Sequence, residues 1–382
     1  MNRKPAYLCI PLVLAACGPG SFSRTSSALA QQGQVLYVQR NLVSDGFVAA
    51  ERTDPNLVNA WGITHLPTSP WWVSDNGTNV STLYDGEGVP QFGTPPLVVS
   101  VTGAGGSPAD PTGVVGNATP GFAVSAGGAS GPARFIFASE DGTISGWNPN
   151  VPPPVAPATR STTTVVVVDN SSASTDSGAV YKGIAIASTP AGDRLYATNF
   201  RDARVEVFGP DFAPVPSPGG FVDPGIPAGF APFGIAAIAG KIVVTYAKQD
   251  VHRHDDVAGR HLGFVSAFTT EGRLVSRIAS GGKLNSPWGL ALAPDGFGAF
   301  SGRLLVGNFG DGHLIAYEVS SDVDDENEGR YLVGKGGPIV IDGLWGLGFG
   351  NGAAAGPTNA LFFAAGPGGE AHGLFGRIDL AR

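Results

Sequence analysis

The chain has 382 residues, 57 of them Gly and 31 Pro, and only 14% are charged, a mix that suits many short strands joined by tight turns. Hydrophobic residues reach 42% and the net charge is −8, which excludes a disordered chain; no basic stripe appears, which excludes nucleic acid and anionic lipid surfaces as partners. The two cysteines, Cys9 and Cys17, both fall near the start, so no disulfide can staple the rest and a large core must hold it.

Residues 1–17 have the form of an export signal. Arg3 and Lys4 supply the positive charge, and Tyr7 to Ala16 is an apolar run too short to span a bilayer. It ends in Leu14-Ala15-Ala16-Cys17, which resembles the bacterial lipobox. That resemblance implies cleavage before Cys17 and a lipid on its thiol; Gly18, in place of Asp, implies sorting to the outer membrane. The alternative is ordinary secretion, with cleavage after Ala28-Leu29-Ala30. Residues 18–33 are mostly Gly, Ser, Ala and Gln and suit a flexible tether, leaving 34–382 as the folded domain.

Val35 to Leu42 is an apolar-rich strand that belongs to no repeat of its own. After it, one pattern recurs six times: Trp61-Gly62-Ile63, Thr112-Gly113-Val114, Lys182-Gly183-Ile184, Phe233-Gly234-Ile235, Trp288-Gly289-Leu290 and Trp345-Gly346-Leu347. A period of this length means blades or solenoid units. Each copy opens a series of short strands. In the first these are Trp61 to Thr64, Trp71 to Asp75 and Thr82 to Tyr84; in the third, Gly183 to Ala187, Leu195 to Asn199 and Val205 to Phe208. The fifth offers Trp288 to Leu292, Arg303 to Gly307 and Leu314 to Val319, with Tyr331 to Val333 and Pro338 to Ile341 as material for a fourth. No segment carries a helical period of useful length.

A four-stranded antiparallel sheet repeated radially is a propeller blade, so the expected fold is an all-β, six-bladed β-propeller. Inner strands crowd the axis, where Gly lets backbones approach. The last repeat has strands for only three positions: Leu344 onward, Leu361 to Ala364 and Gly373 to Leu380. Val35 to Leu42 is therefore expected to supply the outer strand of the sixth blade and latch the ring. In the second repeat, the β-branched run Thr164 to Val168 reads as an outer strand. Phe212 to Phe230 is a Pro/Gly-rich connection and Ser320 to Gly329 an acidic loop.

Asn59 to Ile63, Tyr246 to Asp250, His254 to Gly259, Asp342 to Leu347 and Gly373 to Gly376 together resemble an uncharacterised family of exported bacterial propeller proteins. The blade pattern is more distantly similar to NHL repeats. Asp75, Asn199 and Asn308 fit that pattern at the ends of second strands, whereas Ala247-Lys248 and Ala365-Gly366 depart from it. The resemblance implies fold and export, and transfers no catalytic role.

In a propeller, the starts of the inner strands and the ends of the second strands share one face. Asn59, Trp61, Asp75, Asn76, Lys182, Asn199, Phe233, Lys248, Asp250, Trp288, Asn308 and Trp345 are therefore the candidate ligand-binding residues around one channel mouth. Against this, each Trp can pack between blades and each Asn or Asp can cap a turn. Asp75, Asn199, Asp250 and Asn308 are the candidate metal ligands, since hard cations such as Ca²⁺ take such oxygens. His252, His254, Asp255 and Asp256, with His261 nearby, offer Zn²⁺ donors but match no zinc spacing, and a solvated loop accounts for them. Asp322, Asp324, Asp325, Glu326 and Glu328 lack the Gly of a Ca²⁺ loop and read as a charged surface. Glu370 and His372 suit an acid–base pair or a turn hydrogen bond. There is no G-x-S-x-G elbow and no P-loop.

The expected function is a lipid-anchored binding scaffold that presents the mouth to a protein, glycan or small ligand and meets membrane only through its lipid. The alternative is a hydrolase or lyase assisted by Ca²⁺ or Zn²⁺ at the mouth.

Overall fold

Each repeat forms a sheet because its short apolar runs are broken by turn residues before any helix can propagate. The computed structural model describes residues 36–172, 177–319 and 328–381. The signal, the Cys17 anchor and the tether lie outside the described residues, as do Asp322, Asp324, Asp325 and Glu326.

Six blades surround the axis. The first pairs Ala60–Thr64, Trp71–Asp75, Val80–Tyr84 and Val99–Ser100. The second pairs Pro111–Gly116, Phe135–Ser139, Thr143–Trp147 and Val165–Asp169, with a small hairpin, Ala123–Ala126 and Ala129–Pro132, inserted after its inner strand. The fourth pairs Phe230–Ile238, Lys241–Lys248, Phe264–Phe268 and Leu274–Ser280; the fifth pairs Pro287–Leu292, Leu304–Asn308, Leu314–Tyr317 and Arg330–Tyr331.

The third blade departs from the four-strand plan. Among the described residues it has only Tyr181–Thr189, Gly192–Asn199 and Arg204–Phe208. The segment that follows carries Pro210, Pro214, Pro216, Pro218, Pro224 and Pro227, and proline cannot donate to a ladder. In the fifth blade Val333–Gly334 and Gly337–Pro338 leave the sheet and form a separate hairpin.

The sixth blade closes the ring. Leu344–Phe349, Leu361–Ala365 and Leu374–Leu380 come from the C-terminal end, and Tyr37–Ser44 pairs antiparallel with the last of them, from Tyr37↔Leu380 to Ser44↔Leu374. A fifth short strand, Arg52–Thr53, adds to the outside in parallel. Tyr37, Leu42 and Val43 are buried, and the Tyr37 hydroxyl donates to the Phe297 carbonyl at 2.8 Å.

Second strands such as Phe135–Ser139, Leu304–Asn308 and Leu361–Ala365 are buried along their whole length, because both faces of a blade meet a neighbour. Between blades one and two, Trp72 stacks on Phe135 at 4.1 Å and meets Trp147 at 4.5 Å.

The recurring Gly marks a β-bulge in every blade. On the inner strand three residues span what two span on its partner, or one residue is left unpaired. Ala60↔Asp75 is followed by Ile63↔Val73, Pro111↔Ser139 by Val114↔Phe137, and Tyr181↔Asn199 by Gly183↔Thr198. Pro232↔Tyr246 is followed by Ile235↔Val244, Pro287↔Asn308 by Gly289↔Gly307, and Leu344↔Ala365 by Leu347↔Phe363. A bulge re-aims the extra side chain, here the residue before each Gly. The Gly itself touches the next blade. A Cβ on Gly62 would lie 2.6 Å from the Thr112 carbonyl oxygen, one on Gly289 2.5 Å from that of Trp345, and one on Gly346 2.5 Å from that of Trp61.

Candidate functional site

The six bulged residues are Trp61, Thr112, Lys182, Phe233, Trp288 and Trp345. The aromatic ones form a layer across the axis, joined by Phe200 and Phe309 from the ends of two second strands. Trp345 is sandwiched between Trp61 at 3.7 Å and Phe309 at 3.8 Å. Trp288 meets both Trp345 and Trp61 edge-on, and its Nε1–H donates to the Lys182 carbonyl at 2.9 Å, from the fifth blade to the third. Beyond this layer lies a cavity of about 230 Å³ between the inner strands, with Ile184, Ile235, Leu290 and Trp288 among its walls.

A polar layer covers the aromatic one. The Lys182 side chain is 2% exposed, and its ammonium donates to Glu140 and, at 3.2 Å, to Asp255 Oδ1. Its Nζ also lies 5.1 Å from the centroid of the Trp61 ring. Asn76 Nδ2 donates to Glu140 Oε2 at 3.0 Å; Asn59 Nδ2 donates to Asn76 Oδ1 at 3.1 Å and to Glu370 Oε2 at 2.9 Å. Trp345 Nε1 donates to Asn59 Oδ1 at 3.3 Å, tying the two layers together. At the other end, His254 Nδ1 bonds Asp255 Oδ1 at 2.9 Å. One chain of contacts thus links blades one, two, three, four and six.

Burial opposes charge on Lys182, but Glu140 and Asp255 outweigh it and hold the pKa above the usual lysine value. The bond from His254, with Lys182 behind it, holds the Asp255 carboxyl well below the carboxylate range, and the same bond raises His254. Burial raises Asp256 and Glu370.

The structure brings Asn59, Trp61, Asn76, Lys182, Phe233, Trp288 and Trp345 together. The other candidates lie elsewhere. Lys248 is exposed at the end of its strand. The four residues expected to share a metal are each bonded by their local surroundings, although Asp75 Oδ1 and Asn308 Oδ1 are left without a partner among the described residues. Asp75 Oδ2 accepts the Thr82 N–H at 2.9 Å; Asn199 Nδ2 donates to Asp202 at 3.0 Å and to Glu206 at 2.9 Å. Asn308 Nδ2 donates to the Lys283 carbonyl at 2.8 Å and to Asp311 at 3.0 Å, while Asp250 Oδ1 accepts the His254 N–H at 2.9 Å.

The reason is register. Asp75, Ser139, Asn199, Tyr246, Asn308 and Ala365 occupy equivalent positions, each opposite the residue before a bulge. Side chains alternate, so it is the next residue that turns to the axis. Those residues are Asn76, Glu140, Phe200, Ala247, Phe309 and Gly366. Glu140, Phe200 and Phe309 escaped the sequence reading by this one step, although Ser139-Glu140-Asp141-Gly142 aligns with Asp75-Asn76-Gly77 once both strand ends are superposed. His254 and Asp255, expected in a solvated loop, reach the mouth, whereas His252 and His261 stay exposed. Glu370 and His372 do not pair with each other: Glu370 holds Asn59, and His372 Nδ1 meets Asp45 Oδ2 at 2.7 Å.

Glu140, His254 and Asp255 place donor atoms within 4.8 Å of one another, which is a ligand spacing for a metal. The Lys182 ammonium already bonds two of the three. A buried cation supplied by the chain thus already bonds part of this donor set.

No family model matches the sequence. Uncharacterized protein R648 of Acanthamoeba polyphaga mimivirus is 30% identical over 344 residues, covering 89% of this chain and 80% of that protein. Uncharacterized protein L690 of the same virus is 32% identical over 315 residues, covering 80% and 77%. Among solved structures, the apo soluble aldose sugar dehydrogenase of Escherichia coli superposes with a TM-score of 0.51 at 10% identity, covering 90% of this chain and 100% of that one. That likeness is one of fold.

Proposed function

The chain belongs to the family of the uncharacterised mimivirus proteins R648 and L690, and from this premise and its own site we propose that it is an exported, lipid-anchored binding scaffold. Its mouth face takes a polar ligand. The observation that carries this reading is the mutual commitment of the polar layer. Lys182, Glu140, Asn76, Asn59 and Asp255 satisfy one another across four blades, over an aromatic layer pinned by Trp288. Such a network holds a surface rigid, and rigidity lowers the cost of binding. The export part rests on Leu14-Ala15-Ala16-Cys17 and the apolar run before it. The relatives are viral, so a bacterial outer membrane as the destination rests on the lipobox resemblance alone.

The test has two arms, both on the full chain. In an expressing bacterium, an alkyne fatty acid should label the wild type in the membrane fraction and leave Cys17→Ala unlabelled; label on C17A removes the anchor. In detergent, a thermal-shift screen of small polar compounds should give hits that Glu140→Gln abolishes; hits indifferent to E140Q move the site away from the mouth.

The second reading, a metal-assisted hydrolase or lyase, is favoured by the spacing of Glu140, His254 and Asp255. Elemental analysis decides it: a stoichiometric divalent metal in the wild type would displace the scaffold reading, whereas metal taken up only by Lys182→Met would support Lys182 as the resident cation.

A further inference from the structure

At the seam where the chain's two ends meet, a turn holds an aromatic ring out of the core. Phe47 is 58% exposed. A lone exposed hydrophobic residue is ordinary, but the way this one is held is not. Ser44 Oγ donates to the Val48 carbonyl at 2.6 Å and accepts the Gly46 N–H at 3.1 Å; the Phe47 N–H donates to Asp45 Oδ1 at 3.1 Å. Gly46 sits at φ +110°, which side chains disfavour.

One face of the ring stacks on His372, with centroids 3.8 Å and planes 1° apart. Asp45 holds His372 as well, through Oδ2 and Nδ1 at 2.7 Å. In the neutral tautomer that donates Nδ1–H to Asp45, Nε2 is a hydrogen-bond acceptor. It has no partner among the described residues. Gly368 closes on the ring edges; a Cβ there would lie 3.1 Å from His372 Cδ2 and 3.4 Å from Phe47 Cε1. Gly368, Gly369 and Glu370 all adopt left-handed φ, at +68°, +65° and +68°. Such backbone persists in a non-glycine residue only where its surroundings impose it. The platform adjoins the mouth, since the Asn59 N–H donates to the His372 carbonyl at 2.9 Å.

The surroundings define the ligand. A rigid apolar face beside a hydrogen-bond acceptor fits a ring with an apolar C–H face and hydroxyls at its edge. A cation is not called for. Asp45 is committed to His372 and to the Phe47 N–H, and Glu370 is bonded to Asn59. Burial further pushes Glu370 toward its neutral form.

We propose that Phe47 and His372 form a platform for a neutral oligosaccharide: one sugar ring lies on the open face of Phe47, and a hydroxyl of the adjoining ring donates to His372 Nε2. This rests on the binding reading above and gives it a ligand class. Calorimetry on the detergent-solubilised full chain with cellohexaose, maltohexaose and chitohexaose tests it. At least one hexasaccharide should bind, Phe47→Ala should weaken that binding at least 10-fold, and Phe47→Trp should retain it. His372→Gln should weaken it with the melting temperature unchanged. Binding of none of the three overturns the proposal, and so does binding that F47A leaves intact. Should the hexasaccharides fail while the thermal-shift screen yields a non-saccharide ligand lost in E140Q, the platform is refuted and the scaffold stands. Should both experiments give nothing, both fall.

Discussion

Lys182 occupies a bulge position that its counterparts in four other blades fill with an aromatic ring. Its cost of burial is offset by Glu140, whose side chain is 14% exposed, more than by Asp255, which is 66% exposed and screened by water. Removing the cation leaves the largely buried Glu140 carboxylate without its countercharge, bonded by Asn76 alone. Lys182→Ala should therefore lower stability by about 3–5 kcal/mol in urea unfolding, and Lys182→Met with Glu140→Gln should recover a large part of that loss. The neighbouring pair makes the mouth sensitive to pH. His254 is raised by its bond to Asp255, so its contribution is complete below the unfolded imidazole value of about 6.5 and is lost as pH rises through the folded value. Asp255 is lowered, so its contribution is present above about 3.9 and is lost as pH falls. An NMR titration should place the His254 midpoint above about 6.5, and Asp255→Asn should bring it down. A midpoint that D255N leaves in place would mean the bond is not formed in solution.

Each inner strand carries its Gly for contact, since the next blade's backbone stands where a Cβ would go. Gly289→Ala would place that Cβ 2.5 Å from the Trp345 carbonyl oxygen, and neither backbone can retreat without opening the ring. The expected loss is about 3 kcal/mol or more, at the upper end of overpacking. Gly336 has nothing within 4 Å of its Cβ direction, so Gly336→Ala should stay within about 0.5 kcal/mol. Equal effects of the two substitutions on the thermal midpoint would refute the close-approach account. The same bulges explain the arrangement of the mouth: one extra residue per inner strand turns five large side chains, four of them aromatic, and Thr112 toward the axis.

Across the whole molecule, stability depends on a ring whose two ends meet in one sheet. Tyr37–Ser44 covers the edge of Leu374–Leu380, and that edge would otherwise present unpaired backbone groups. Deleting residues 1–44 should expose it. The truncated protein should unfold with a shallower denaturant dependence or self-associate, as sedimentation would show; a monomer with unchanged cooperativity would mean that the latch is dispensable. The deletion should also abolish the Phe47 platform, because Ser44 and Asp45 anchor the turn from the N-terminal side while His372 comes from the C-terminal end.

The architecture was legible in the sequence because its signals are local and repeated. Six copies of a Gly flanked by a large or polar residue and an aliphatic one, a last repeat one strand short, and an unassigned strand before the first repeat together imply six blades and a latch. Much of the mouth was legible too, since Trp61, Lys182, Phe233, Trp288 and Trp345 all precede a repeated Gly. The tertiary structure decided the rest. Strand alternation turns Glu140, Phe200 and Phe309 inward while Asp75, Asn199 and Asn308 close their own turns, and a one-residue bulge shifts that phase without changing the apparent pattern. The union of Lys182 with Glu140 and Asp255 joins residues from three blades, and that of His372 with Asp45 and Phe47 joins N-terminal and C-terminal segments within the sixth. No local periodicity encodes such pairs; only the closure of the ring brings them within bonding distance.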